Sequence, residues 1–123
     1  MKSSSAKLGV VLLVVGFTIC YSKAWGADWK KFSEATTGIF EYDAASISSP
    51  SKGFVRVWIH NATKHVTHFA EFNCRGGSYR VLDRIEYDEA DRMKTRDTYY
   101  DNTNWVNIAP GSVLEPLREI VCR

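Results

Sequence analysis

The sequence predicts an α+β domain, mostly β-strand with one short C-terminal helix, and three observations carry that reading. Segments between turn residues are rich in Val, Ile, Thr, Tyr, Phe and Trp, and several alternate apolar with polar side chains, as a half-buried strand does. Turn signals such as Pro50, Gly53 and Gly76-Gly77 recur at short intervals. Only the extreme C-terminus carries an apolar stripe at helical spacing. A length of 123 residues leaves room for one domain, and a hydrophobic fraction of 45% with 24% charged residues is ordinary globular composition.

The N-terminus has the plan of an export signal. Lys2 and Lys7 precede an uncharged run from Leu8 to Tyr21 that stops before Lys23. That run is shorter than the roughly 20 residues a bilayer-spanning helix needs, so no stable transmembrane anchor is expected once the signal is cut. Ala24 and Gly26 at the −3 and −1 positions favour cleavage after Gly26, with Ser22 and Ala24 allowing a cut two residues earlier. The expected division is a signal peptide at 1–26 and a mature domain at 27–123. Cys20 stands where a bacterial lipoprotein would carry its acylated cysteine, but bulky, β-branched Ile19 before it argues against a lipid anchor.

Export changes the charge and cysteine balance. The signal removes Lys2, Lys7 and Lys23 from a total of 16 basic residues and none of the 14 acidic ones, so the mature domain loses its positive excess. Its remaining cations (Arg80, Arg84, Arg92, Lys94, Arg96) are interleaved with Asp83, Glu86, Asp88, Glu89, Asp91 and Asp97, which reads as a solvated mixed-charge face and excludes a cationic stripe for nucleic acid. Cys20 leaves too. Cys74 and Cys122 remain, and in an oxidising compartment two cysteines of a small exported domain are expected to pair.

The strands follow in order. Residues 28–34 and 38–43 flank Ala35-Thr36-Thr37 as a hairpin. Residues 44–53 are expected as a loop that opens with one helical turn capped by Asp43 and is punctuated by Pro50 and Gly53. Residues 54–60 and 65–74 make two strands around Asn61-Ala62-Thr63-Lys64; Val55, Val57 and Ile59 share one face of the first, and Val66, His68, Ala70, Phe72 and Cys74 one face of the second. In 78–88, Tyr79, Val81, Ile85 and Tyr87 alternate with Arg80, Arg84 and Glu86, but Leu82 and Asp83 break the pattern, which leaves a bulge or a two-sided strand. A charged turn at 89–92 leads into a long strand over 93–101, and 105–108 form a short extended piece.

Pro110-Gly111 ends the strands. Ser112 and Glu115 have the spacing of a capping box, with Val113, Leu114, Leu117, Ile120 and Val121 as the apolar stripe; Pro116 conflicts with that start and instead suits a helix beginning at Pro116. Either helix is too short to be stable alone and has to dock. A Cys74–Cys122 bond would pin it against the sheet face that carries Val66, His68, Ala70 and Phe72.

The ordered segments DWKKF, GIFEYDAASI, VRVWI, EFNC followed by YRVL, and NWVNIAPGSVLEPLREIVC resemble the bacterial surface-adhesin protein E family across nearly the whole mature chain. The resemblance is most specific at EFNC (71–74), PGSV (110–113) and the terminal VC (121–122). It implies an antiparallel sheet of about six strands with a C-terminal helix tethered to its concave face by the disulfide. It also implies a dimer-forming, adhesin-like protein that binds extracellular-matrix and serum proteins. No adhesive motif matches position by position, so the ligand-binding residues are left unassigned.

The residues themselves argue against catalysis. His60, His65 and His68 are the usual general-base candidates, but their spacing allows at best a two-ligand site across the hairpin, so no metal site, cofactor or catalytic residue is expected. No G-x-S-x-G and no phosphate-cradling glycine loop is present, no thiol is left free, and Asp88 and Asp91 fall in a solvated turn. The aromatic side chains Trp58, Phe69, Tyr99, Tyr100 and Trp105 either pack the sheet or form an exposed patch for a partner. The expected function is an exported, non-catalytic interaction module at the cell surface or in the periplasm, taking a protein partner or a second copy of itself. The alternatives are a periplasmic accessory or structural envelope protein and, more remotely, a small exported hydrolase.

Overall fold

A computed structural model describes residues 27–99 and 103–123. The expected signal at 1–26, and the end of the strand expected to run to Asp101, lie outside the described residues. The elements are β1 (Trp29–Ala35), β2 (Gly38–Asp43), a 3-10 turn (Ala44–Ser46), β3 (Ser48–Ser51), β4 (Phe54–Asn61), β5 (Val66–Asn73), β6 (Ser78–Tyr87), β7 (Met93–Thr98), β8 (Val106–Asn107) and helix α1 (Glu115–Val121). The strands form one sheet in the order β1-β2-β4-β5-β6-β7, with every pairing antiparallel.

Two short strands complete the sheet. β2 pairs with the end of β4 at Ile59, His60 and Asn61, and β3 takes the free edge at Phe54 and Arg56. In the same way β7 pairs with the end of β6, and β8 takes the edge at Ser78 and Tyr79. Among the described residues the sheet therefore has eight strands where the resemblance implied about six. Ser48–Ser51, expected as loop, is a strand because edge pairing uses backbone groups and needs no apolar side chain; all four residues are exposed, and Pro50 is tolerated only at such an edge. Asp43 caps the preceding turn as expected, accepting from the Ala45 N–H at 3.0 Å, and accepts also from the Asp28 N–H at 2.8 Å, which anchors the start of β1.

The main core cluster lies on one face, here the inner face, with Leu82 and Ile85 buried apart from it. Val57 and Ile59 of β4, Ala70 and Phe72 of β5, Tyr42 of β2, and Leu117 and Val121 of α1 form a single buried cluster. The β4–β5 register sets Val55 opposite Phe72, Val57 opposite Ala70 and Ile59 opposite His68, so the alternation read from the sequence puts these residues on one side. Gly38 shows how closely strands meet: at φ +145° it abuts the Asn61 side chain, and a Cβ there would collide with that amide. Asn61 in turn accepts from the Thr63 and Lys64 N–H groups and closes the β4–β5 turn.

The irregularity at Leu82 and Asp83 is a bulge. Pairing steps from Phe69–Asp83 to Ala70–Val81, leaving Leu82 as the extra residue. Tyr79 and Val81 face inward before it, whereas after it Arg84 and Glu86 face inward and Ile85 outward, opposite Thr67. Ile85 therefore does not share the face of Tyr79 and Val81, contrary to the simple alternation.

Helix α1 has seven residues, well below the roughly 12–15 at which an isolated helix becomes even marginal. Fully buried Leu117 and the Cys74–Cys122 disulfide, with Cα atoms 5.5 Å apart, hold it on the inner face. The capping box does not form. The helix begins at Glu115 with Leu114 as an N-cap lacking a side-chain bond, Glu115 accepts from the Gly111 N–H at 2.8 Å, and the buried Ser112 hydroxyl has no partner among the described residues. Pro116 explains the shift: with Ser112 as cap its nitrogen would have had to donate, whereas in the first turn the missing donor costs nothing.

Candidate binding surface

With α1 on the inner face, the outer face is left to layered aromatic and charged side chains. Antiparallel register places Trp58 of β4 opposite Phe69 of β5, and their rings stack with centroids 4.8 Å apart. One pair along, Arg56, Glu71 and Arg80 lie in a row across β4, β5 and β6. Arg56 Nε reaches Glu71 Oε2 at 2.8 Å, and an Arg80 terminal nitrogen reaches Oε1 at 2.7 Å. The Glu71 side chain is only 4% exposed. Arg80 also lies 4.6 Å from the centre of the Trp105 ring, which contacts Phe54, so cation–π contact continues the layer to the sheet edge.

A second buried acid lies beyond the bulge. Asp83 accepts from Arg96 at 2.6 Å and from the Thr98 hydroxyl at 3.3 Å. It is buried, which corrects the reading of this stretch as wholly solvated: the bulge turns Asp83 to the outer face, where Arg96 of the adjacent strand covers it. Glu71 was missed as well. Its signal is the pairing of one acid between two arginines, visible only once the strand register is known.

The aromatic side chains divide between the two faces. Phe72 and Tyr42 belong to the inner core; Trp58 and Phe69 are half-buried on the outer face, and Trp105 is exposed. Tyr99 is half-buried, and Tyr100 lies outside the described residues. The sheet edges are poor docking sites. β7 is exposed along its length and carries Lys94 and Arg96, and β1 has a bulge between Lys31 and Ser33 beside Lys30, devices that deter edge-to-edge pairing.

The three histidines do not converge. His60 lies on the outer face, with its ring 5.3 Å from that of Trp29 and its Nδ1 3.0 Å from the Thr67 hydroxyl. His65 occupies the turn at φ 55°, and His68 faces inward opposite Ile59. Among the described residues no group of three or more His, Cys, Asp and Glu side chains could hold a metal ion. Asp88 accepts from the Ala90 and Arg92 N–H groups, which makes it a turn-forming residue, and Asp91 sits in the same turn at φ 59°.

Burial lowers the proton affinity of both strand histidines. Desolvation dominates at His68, aided by Arg84; at His60 desolvation outweighs Glu41, with His65 also lowering and Asp91 raising the affinity. A histidine depressed in the folded state binds protons more readily when unfolded, so acidification through about pH 6.5 should favour unfolding. Melting temperature is expected to fall between pH 7.5 and 5.0, and to fall less in His60→Gln/His68→Gln. An identical fall in that variant would assign the effect elsewhere.

No helix among the described residues is long and apolar enough to cross a membrane. No curated protein and no solved structure matches the chain. The sequence profile of the family described as surface-adhesin protein E matches residues 29–123, from the first strand through both disulfide cysteines. On that match, the chain belongs to the surface-adhesin protein E family.

Proposed function

We propose that residues 27–123, freed of a signal at 1–26, act as an exported, non-catalytic binding module of the bacterial cell envelope that holds extracellular proteins against its outer sheet face. Family membership supports an adhesin-like role. The observation that carries the choice of face is the Trp58–Phe69 stack beside the Arg80–Trp105 contact: rigid aromatic and arginine side chains, part exposed, of the types enriched in interface hot spots. The inner face is filled at its centre by α1 and the edges are guarded by cations and a bulge, so this face is also the preferred route to a homodimer.

Surface plasmon resonance on immobilised collagen, fibronectin and laminin tests the reading. Trp58→Ala and Trp105→Ala are each expected to weaken binding about 30-fold, the equivalent of a hot-spot loss of about 2 kcal/mol. Unchanged affinity in both variants would remove the outer face from the interaction. Light scattering on the purified protein reads its self-association, and cell fractionation separates surface display from a periplasmic accessory role.

A further inference from the structure

A second site lies on the inner face, beyond the reach of α1. A cavity of about 400 Å³ opens there, within the range of roughly 300–1,000 Å³ typical of small-molecule clefts. Its floor is apolar, made by Phe40, Ile59, Ala70 and Val81, and Val113 and Leu114 form one wall just before α1. The charged groups that line it are both cations. Lys64 and Arg84 line the cavity together with His68, Tyr79 and Asn61, and no carboxylate is among its described lining residues, although Glu86 faces the same side opposite Val66.

Lys64 makes no ion pair among the described residues. Arg84 is held in place by Glu86 at 3.1 Å and by Asp97 at 4.0 Å, contacts that use only part of its five-donor guanidinium. An apolar floor with cationic donors at its rim matches a ligand with a hydrocarbon body and an anionic head. Such a head would gain charge-assisted hydrogen bonds, while the chain would displace water from the floor. A cationic amphiphile would meet like charge at Lys64, whereas the charge of Arg84 is already offset in part by Glu86 and Asp97.

We propose that this cavity binds a single-chain carboxylate amphiphile, a free medium-chain fatty acid, with its carboxylate between Lys64 and Arg84 and its chain across Ile59, Ala70 and Val81. The lowered proton affinity of His68 keeps its imidazole neutral at neutral pH, able to donate one hydrogen bond to the same head. The site is independent of the outer face, so the two readings fail separately.

Isothermal titration of the purified protein with decanoate below its micelle concentration, at pH 7.5, tests the proposal. Saturable binding of one decanoate per chain is expected, with decyltrimethylammonium binding at least tenfold more weakly. Lys64→Gln, an exposed turn substitution, should weaken decanoate about tenfold, and Lys64→Arg should restore it. Val113→Trp should block the cavity, whereas Trp58→Ala should leave decanoate binding unchanged. Equal binding of the cationic amphiphile, indifference to Lys64→Gln, or binding only to phosphatidylglycerol vesicles and not to decanoate would each overturn the proposal.

Discussion

Replacing Cys74 or Cys122 by serine is expected to lower the melting temperature by at least about 15 °C. The bond closes a loop with a sequence separation of 48, which chain-entropy reasoning values at ~4 kcal/mol. Each kcal/mol moves the midpoint of a domain of this size by roughly 4–8 °C. The structural reason is that α1 has seven residues, a start set by Pro116 and no side-chain cap, so that beyond the burial of Leu117 and Val121 little else retains it. Arg118 adds one hydrogen bond, donated to the Cys74 carbonyl at 3.1 Å. Cys74→Ser/Cys122→Ser should melt no lower than either single variant, because all three lack the same bond. Thermal unfolding followed by circular dichroism without reductant checks this, and reductant should bring the wild type to the level of the variants.

Glu71→Ala is expected to destabilise the domain by about 3 kcal/mol, the cost typical of removing one partner from a buried ion pair. Most of that cost falls on Arg80, whose side chain is 15% exposed; Arg56, at 33%, can turn towards water. The same physics predicts a rescue. Arg56→Met/Glu71→Leu/Arg80→Met should recover most of the stability, since an apolar row of similar volume needs no desolvated charge. It should not recover the proposed binding to matrix proteins, because Trp105 would lose the guanidinium that orients it. Denaturant titration beside surface plasmon resonance separates the two effects; a variant that regained both would make the charged row purely structural.

How much of this was readable in advance depends on where the stabilising interactions lie. The inner face of β4 and β5 is apolar, and its alternation through Val57, Ile59, Ala70 and Phe72 fixes which way Cys74 points, so the docking of α1 and its disulfide follow from spacing. β3 was illegible as a strand because it is exposed and held by backbone bonds, which leave no hydrophobic pattern, and of β8 only a short extended piece at 105–108 could be read. The bulge at Leu82 showed only as a broken alternation, and its consequence, Ile85 turned outward and Asp83 buried under Arg96, needed the register. Of the outer surface, the aromatic residues were evident from composition, but their arrangement was not. Residues far apart in the chain meet there only when β4, β5 and β6 align, as Arg56, Glu71 and Arg80 do.

The most direct test of the proposed outer-face adhesin is chemical-shift mapping of the isotopically labelled protein during titration with collagen, fibronectin and laminin in turn. Perturbations are expected at Trp58, Phe69, Arg80 and the Trp105 indole, with the amides of Leu117 and Val121 unmoved. Perturbations confined to α1 and to the cavity around Lys64 and Arg84 would place the partner on the wrong side of the sheet and contradict the assignment.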